Sequence, residues 1–157
     1  MSLYAKDIMV KNFDKINMEA TIEEAISKIS NSMTRKTGYK TTSLMVIDDF
    51  NKLTGVISMF DILYHLRPDF LNFGIDSVGF KWEGQVKTLI DKLKKKKVHQ
   101  IMSYNVVSAK SDDHIMVLLD GMVKNKYRRL PVLENGQLIG VVYISDIYHR
   151  LFSQKLT

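Results

Sequence analysis

The sequence predicts an α+β (α/β) fold built from two β-α-β-β-α repeats. The segment Gly55-Val56-Ile57-Ser58-Met59-Phe60-Asp61 recurs as Gly140-Val141-Val142-Tyr143-Ile144-Ser145-Asp146. A second marker, Asp7-Ile8-Met9, recurs as Gln100-Ile101-Met102. Because both markers occur twice in the same order, the chain contains a tandem repeat. We place the first repeat at residues 5–66, a connecting segment at 67–97 and the second repeat at 98–152.

After each Ile-Met marker, a short extended segment is followed by an amphipathic helix. In the first repeat the helix is predicted to begin at Thr21, whose hydroxyl forms a capping box with Glu24. The matching helix is predicted to begin near Ser111 or Asp112, with His114 standing where Glu24 stands in the first repeat. Apolar residues at helical spacing give both helices a buried face.

Two strands follow the first helix of each repeat, at residues 44–47 and 53–57, and at 130–133 and 138–142. Polar segments between them predict hairpin turns. The second strand then runs into a helix whose first turn carries Asp61 or Asp146. Free backbone N–H groups and a fixed carboxylate face a ligand in this geometry, which predicts binding rather than catalysis.

The connecting segment is predicted to contain an amphipathic basic helix that packs on the repeats or on a dimer partner. It ends in the run Lys94 to Lys97. Lysines stabilise a helix C-terminus and usually remain solvated, which is the interpretation we favour. Binding of nucleic acid or anionic lipid is the alternative, but no recognised nucleic-acid motif accompanies the run.

Composition narrows the classes of function. The 157 residues carry a net charge of +6 and no cysteine, which favours an anionic partner and excludes thiol chemistry. No apolar run approaches the ~18 residues of a membrane span, and the N-terminus does not resemble a signal peptide. We therefore predict a cytoplasmic protein with no membrane partner. No nucleophile elbow, P-loop or metal-ligand spacing is present, so we predict no enzymatic activity, no catalytic residue and no metal site.

The repeated pattern resembles the cystathionine β-synthase (CBS) domain. The resemblance rests on Asp-Ile-Met near the start of the repeat and Gly-Val-Ile-Ser-x-x-Asp before its last helix, and it covers nearly the whole chain. It implies that the two repeats form a pseudo-twofold pair, or Bateman module, with two clefts for adenosine-containing ligands such as AMP, ADP, ATP or S-adenosylmethionine. It also implies a homodimer, a regulatory role and no catalytic cofactor.

The resemblance assigns roles to the repeated carboxylates and their neighbours. Asp61 and Asp146 match the aspartate that accepts hydrogen bonds from ribose hydroxyls, and Ser58 matches the hydroxyl beside the phosphate. Tyr143 replaces that serine in the second repeat, where it narrows the cleft or offers a stacking ring, and Ser145 offers a replacement hydroxyl. Without the repetition, each aspartate would be interpreted as a residue that stabilises a helix N-terminus.

Further positions are implied around the same clefts. Tyr127, Arg128 and Arg129 match the basic start of a strand, where arginine can grip phosphate with two donors. The first repeat has Thr41 and Thr42 there, which offer hydroxyls but no charge. The adenine is expected to be flanked by Ile8, Met9, Ile101 and Met102. Each Ile-Met pair contributes to the cleft that holds the aspartate of the other repeat. We expect two unequal sites.

The sequence thus predicts a regulatory module that senses an adenine nucleotide and signals through its dimer or a separate partner protein. Energy sensing is one role of that kind. The alternative is an interaction or dimerisation module whose clefts are vestigial. A third and least favoured hypothesis is nucleic-acid binding through the lysine-rich helix, which would weaken steeply with salt.

Overall fold

A computed structural model describes residues 3–31, 42–73 and 82–153. It confirms the predicted α+β class, with two three-stranded sheets and helices packed on them. In chain order the elements are α1 (Ala5–Ile8), β1 (Lys15–Asn17), α2 (Ile22–Ser30), β2 (Ser43–Ile47), β3 (Leu53–Ser58), α3 (Met59–Leu66), a 3-10 turn (Asp69–Phe73), α4 (Gln85–Lys94), α5 (Val98–Ile101), β4 (Ala109–Lys110), α6 (Ile115–Asn125), β5 (Arg129–Glu134), β6 (Gln137–Tyr143) and α7 (Ile144–Phe152).

The two sheets have the same topology and the same irregularity. In each, a short first strand runs parallel to the central strand, which pairs antiparallel with the third. The register shifts between Val46 and Ile47 in one sheet and between Val132 and Leu133 in the other. Matching bulges at matching positions show that the two repeats share one backbone design.

The short helix at the start of each repeat packs on the core of the other repeat. The Ala5 N–H of α1 donates to the carbonyl of Asp113 at 2.9 Å, and Ala5 is buried among the residues of the second repeat. In the same way the Val98 N–H of α5 donates to the carbonyl of Ala20 at 2.8 Å, and Val98 lies in the core of the first repeat. The repeats are therefore interlocked at the level of the backbone.

The repeated glycines permit this exchange of helices. A Cβ atom on Gly55 would lie 2.6 Å from the carbonyl oxygen of Ser103 and 2.8 Å from Met102 Sδ. On Gly140 it would lie 2.6 Å from Met9 Sδ. These distances are shorter than van der Waals contact. The backbone of the other repeat therefore requires a glycine at position 55, whereas at position 140 the Met9 side chain would have to move.

The core consists of one apolar cluster under each repeat and a third between the sheets. Strand residues alternate between these layers, as the pleat requires. Leu44 and Val46 belong to the cluster of the first repeat, whereas Met45 joins Val141 and Tyr143 in the third cluster. The faces that carry Met45 and Tyr143 therefore form the boundary between the repeats, where a ligand could touch both.

Helix α6 begins later than the sequence prediction, which was wrong by about one turn. It starts at Ile115, and His114 is its N-cap, with Nδ1 accepting from the Met116 N–H at 3.1 Å. Residues 111–113 form a turn instead, because the Asp113 carboxylate accepts from the Lys110 N–H at 2.9 Å. The carbonyls of this turn also accept the N–H groups of α1.

The first long helix, α2, agrees more closely with its prediction. Thr21 is the N-cap, and its hydroxyl accepts from the Glu24 N–H at 3.2 Å, which is one half of the predicted capping box. Both hairpin turns form, and the second has Asn135 and Gly136 at positive φ (51° and 78°), as a two-residue hairpin favours. The predicted insertion around residues 34–42 lies mostly outside the described residues.

Substituting the repeat glycines tests the interlock. Gly55→Ala should destabilise the protein by about 1–3 kcal/mol, because the new methyl group meets backbone. Gly140→Ala should cost less, since the group it meets is the flexible Met9 side chain. Gly121→Ala is the matched control: nothing lies within 4 Å, and the change should stabilise helix α6 by about 0.5–1 kcal/mol. Urea unfolding measures all three, and equal losses at positions 55 and 121 would contradict the interlock.

Candidate functional site

Asp61 lies at the start of α3, on the boundary between the two repeats. Its Oδ2 accepts from the Ser58 N–H at 2.9 Å and from Ser58 Oγ at 3.0 Å, and Ser58 Oγ in turn accepts from the Asp61 N–H at 3.2 Å. These reciprocal bonds form a capping box. The structure thus brings two of the predicted site residues together and fixes the orientation of the carboxylate.

Ser103, which the sequence did not single out, reaches the same carboxylate from the second repeat. Its Oγ donates to Asp61 Oδ1 at 3.2 Å. Its backbone pairs with that of Val56, with N–H to carbonyl distances of 3.1 and 2.9 Å in the two directions. The signal in the sequence was its position directly after Ile101-Met102, where the first repeat has Val10 after Ile8-Met9.

The backbone N–H groups at the start of α3 are used within the protein, contrary to the expectation that they are free. The Met59 N–H donates to the carbonyl of Thr42 at 3.0 Å, and the Asp61 N–H is taken by Ser58. A helix N-terminus attracts anions through its unpaired donors. At this place the Met59 and Asp61 N–H groups are therefore already paired, and the Asp61 carboxylate is the charged group.

In both repeats, the start of the central strand contacts the start of the last helix. Thr42 contacts the first residue of α3, and the carbonyl of Arg128 accepts from the Ile144 N–H of α7 at 2.9 Å. The start of the central strand and the start of the last helix therefore lie side by side in each repeat. Thr41 lies outside the described residues.

The two repeats differ at the cross-strand pair that faces the boundary. In the first repeat Ser43 pairs with Ser58, and in the second Arg129 pairs with Tyr143. Ser43 is buried, and its Oγ has no hydrogen-bond partner among the described residues. Tyr143, at the position that matches Ser58, is only 8% exposed and belongs to the apolar cluster between the sheets.

Arg129 is a partly buried cation close to both repeats. Burial lowers its pKa from the ordinary value, while the proximity of Tyr143 and Asp61 opposes this effect and Arg128 adds to it. Arginine nevertheless stays protonated in proteins. Its Nε is buried and has no hydrogen-bond partner among the described residues. A positive charge with an unsatisfied donor therefore lies near the Asp61 carboxylate.

A cavity of about 340 Å³ lies between the sheets beside these groups. Met45 and Val56 of the first repeat form one side of it, and the start of β5 forms another. The residues that line it are Met45, Val56, Ser103, Asn105, Val106, Val107, Lys126, Tyr127, Arg128, Arg129, Leu130 and Pro131. The predicted residues Tyr127, Arg128 and Arg129 therefore share one cavity with Ser103, the partner of Asp61.

The two Ile-Met markers differ in how deeply they are buried. Ile101 and Met102 are 3% and 5% exposed and belong to the core of the first repeat. Ile8 and Met9 are half-buried and pack on the core of the second. Each pair packs on the core of the opposite repeat, and Ser103, directly after the second pair, contacts Asp61. Asp146 and Ser145 lie half-buried in the first turn of α7.

The lysine run is divided between two helices. Helix α4 ends at Lys94, its Leu93 is buried in the core of the first repeat, and Lys97 is the N-cap of α5. Lys97 Nζ lies 2.9 Å from Glu19 Oε2, and this hydrogen bond together with the lysine charge lowers the pKa of Glu19. The four lysines therefore do not form one continuous helical face.

Within the part of the chain that the structure describes, no group of His, Cys, Asp or Glu side chains is arranged to hold a metal ion. The same part contains no helix of the length and apolar character needed to cross a membrane.

Family comparison agrees with this architecture. The CBS domain model matches residues 5–68 and 98–153, which is most of the chain. The chain belongs to the CBS domain family. The fold is also that of CBSX2, whose structure is a complex with AMP: the TM-score is 0.69 with 21% identity, over 97% of this chain and 98% of that one. For the cytosolic domain of the Mg²⁺ channel MgtE in complex with ATP, the TM-score is 0.66 with 21% identity, over 94% of this chain and 48% of that one.

Sequences similar to much of this chain occur within longer proteins. The inosine-5'-monophosphate dehydrogenase of Methanocaldococcus jannaschii is 27% identical over 147 residues, which cover 93% of this chain but 23% of the enzyme. The chain spans about a quarter of the length of the first curated relatives it matches, with 23% and 27% for two of them. The likeness to these enzymes is thus confined to a small portion of each.

A double-mutant cycle tests the contact between Asp61 and Ser103. Ser103→Ala should lower the free energy of unfolding by about 0.5–1.5 kcal/mol, because it removes one hydrogen bond to a carboxylate. Asp61→Asn should cost about 1–2 kcal/mol, because the capping box is also weakened. The double variant should lose less than the sum, since both changes remove the same bond. Ser108→Ala, at an exposed serine, serves as the control, and strict additivity between positions 61 and 103 would disprove the contact.

Proposed function

We propose that this CBS pair is a regulatory module that binds an adenosine-containing ligand at Asp61. The observation that carries the proposal is that one carboxylate, fixed by Ser58 of its own repeat, also contacts Ser103 of the other repeat beside a cation-lined cavity. A fixed carboxylate accepts two ribose hydroxyls well. The proposed ligand would touch both repeats at once.

Contact with both repeats is what makes regulation the proposed role. A ligand shifts a conformational equilibrium only by its differential affinity for two states. A ligand that bridges interlocked repeats has different contacts whenever the repeats move relative to each other. Binding at Asp61 can therefore be transmitted to a homodimer or to a separate partner protein.

The related proteins support the ligand class. CBSX2 and the MgtE domain, which share the fold, were solved with AMP and ATP respectively. We propose an adenine nucleotide for this chain on the combined basis of that likeness and the Asp61 geometry. We propose no catalytic activity and no catalytic cofactor, since the match to the dehydrogenase covers only 23% of that enzyme.

The two alternatives predict different behaviour. An interaction module with vestigial clefts would fold and associate without responding to nucleotides. Nucleic-acid binding through Lys94 to Lys97 would fall steeply with salt. These lysines are divided between α4 and α5, and Lys97 pairs with Glu19, so they do not form a continuous basic surface. This arrangement argues against nucleic-acid binding through the run.

A homodimer forms part of the proposal. Helix α3 exposes Phe60, Leu63 and Tyr64, with fractional exposures of 76%, 55% and 46%, and α7 exposes Tyr148 and Phe152. Clustered apolar side chains on a helix surface typically mark a protein interface. We infer that a second copy of the chain covers the α3 face.

A thermal-unfolding screen tests the ligand proposal. At about 100 times its dissociation constant, a ligand should stabilise the protein by about 2.7 kcal/mol, which raises Tm by roughly 5–10 °C. AMP, ADP, ATP and S-adenosylmethionine are compared with buffer. The shift should vanish in Asp61→Ala and persist in Asp112→Ala, an exposed aspartate outside the cleft. A cooperative transition that no ligand moves would favour the interaction module.

Sedimentation velocity tests the dimer. The wild-type chain of 18.1 kDa should sediment as a dimer, and Leu63→Glu should shift it towards the monomer, because a charge is then buried in the interface. Val123→Glu on α6, where the side chain is similarly exposed at 62%, is the control and should remain dimeric. A monomeric wild-type protein, or dissociation by both variants alike, would contradict the assigned face.

A further inference from the structure

Methionine supplies all the sulfur in this protein, since the chain has nine methionines and no cysteine. Peroxides convert a methionine thioether into a sulfoxide, which turns a flexible apolar side chain into a polar one. The effect on a protein depends on where the side chain lies. Met59 and Met116 are 49% and 54% exposed, so oxidation there disturbs little packing, whereas Met45, Met102 and Met122 are buried in the core.

Met9 lies between these extremes and packs against a glycine of the other repeat. The residue is half-buried and packs on the core of the second repeat. A Cβ atom on Gly140 would lie 2.6 Å from Met9 Sδ and 2.8 Å from its Cγ. The thioether therefore fills the space that the absent side chain leaves beside β6. An oxygen atom added to this sulfur has to be accommodated in a close contact with the strand backbone.

Met102 is the matched residue after the second leading helix. It takes the same place against Gly55, where an added Cβ atom would lie 2.8 Å from its Sδ. Met102 is only 5% exposed and lies in the core of the first repeat. Of the two thioethers that pack on the repeat glycines, Met9 is thus the more accessible to an oxidant in water.

The backbone next to Met9 joins the two repeats. The Met9 N–H donates to the Ala5 carbonyl at 2.8 Å, which closes α1. Val10 exchanges two backbone hydrogen bonds with Val141, at 2.8 and 3.0 Å. Met9 therefore lies between the helix that docks on the second repeat and the residue that pairs with β6. A side chain that no longer fits against Gly140 acts on both of these contacts.

We propose that Met9 is an oxidation site through which hydrogen peroxide weakens the attachment of α1 to the second repeat. The Met9 sulfur attacks one peroxide oxygen, the S–O bond forms as the O–O bond breaks, and the other oxygen leaves with both protons as water. The sulfur is oxidised by two electrons and the peroxide is reduced. The sulfoxide places a hydrogen-bond acceptor in an apolar contact, which is unfavourable unless the segment moves towards water. Methionine sulfoxide reductases reverse the change.

Hydrogen peroxide treatment of the full chain, without nucleotide, tests the proposal. Peptide mass spectrometry measures the sulfoxide at each methionine, and thermal unfolding measures stability. We expect Tm to fall by roughly 3–8 °C in step with oxidation at Met9, as the loss of one packed contact gives in a chain of this size. Treatment of the oxidised wild type with the two methionine sulfoxide reductases should restore Tm.

Two variants identify the responsible thioether. Met9→Leu conserves volume and apolar character, so the untreated variant should fold with a similar Tm, and peroxide should then leave that Tm unchanged. Met116→Leu removes an exposed thioether on α6 and should lose as much stability on oxidation as the wild type.

Amide hydrogen exchange followed by NMR locates the change. The amides of Val10 and Val141 should exchange about tenfold faster after oxidation, because local opening of their pairing becomes easier. The amides of Ser103 and Val56, which form the matched pairing beside Met102, should exchange at their original rates.

Four results would overturn the inference. These are Met9 remaining reduced while Met59 and Met116 are oxidised, an unchanged Tm after oxidation of Met9, an equal fall in Tm for Met9→Leu, and equal acceleration of exchange at both pairings. No nucleotide enters these measurements, so their outcome is independent of the proposed adenosine-binding function.

Discussion

The structure depends on the hydrogen bonds that attach each leading helix to the opposite repeat. The N–H groups of Val98 and His99 donate to the carbonyls of Ala20 and Met18, and α1 makes the matching bonds to the turn before α6. Backbone bonds of this kind are obligatory once the groups are buried. Neither repeat is complete without the other, so the boundary between the sheets is a fixed part of the fold rather than a contact between independent domains.

The same exchange assembles the candidate site, and the side chains at the matched positions make it asymmetric. Each exchanged segment continues past its helix to pair with the glycine-bearing strand, as Ser103 with Val56 and as Val10 with Val141. The backbones match, but the side chains at the matched positions do not. In the first repeat, the Asp61 carboxylate accepts a hydrogen bond from the Ser103 hydroxyl. In the second repeat, Arg129 and Tyr143 form a cross-strand pair on the boundary face. One scaffold with twofold character therefore presents two chemically different clefts.

Much of the fold could be predicted from the sequence because its signals are local. The repeated glycine segments, the alternating strands, the Asn135-Gly136 turn and the helices after Asp61 and Asp146 all depend on neighbours in the chain. The start of α6 was misjudged because Asp113 caps a turn rather than the helix. The contact of Ser103 with Asp61 and the proximity of Arg129 to that carboxylate depend on how the repeats interlock, and no local pattern encodes that arrangement.

Asp61 stabilises the fold and is also the proposed recognition group, and its acceptor capacity allows both. A carboxylate offers about four acceptor positions. Oδ2 accepts two bonds from Ser58, which hold the start of α3, whereas Oδ1 accepts the bond from Ser103. A ribose hydroxyl donating to Oδ1 would use the remaining acceptor position or replace the serine, leaving the capping box in place. Since Ser103 belongs to the exchanged segment, such a replacement acts directly on the contact between the repeats. Ligand binding in the cleft is then coupled to the packing of one repeat against the other. Such coupling is the physical requirement for a regulatory module.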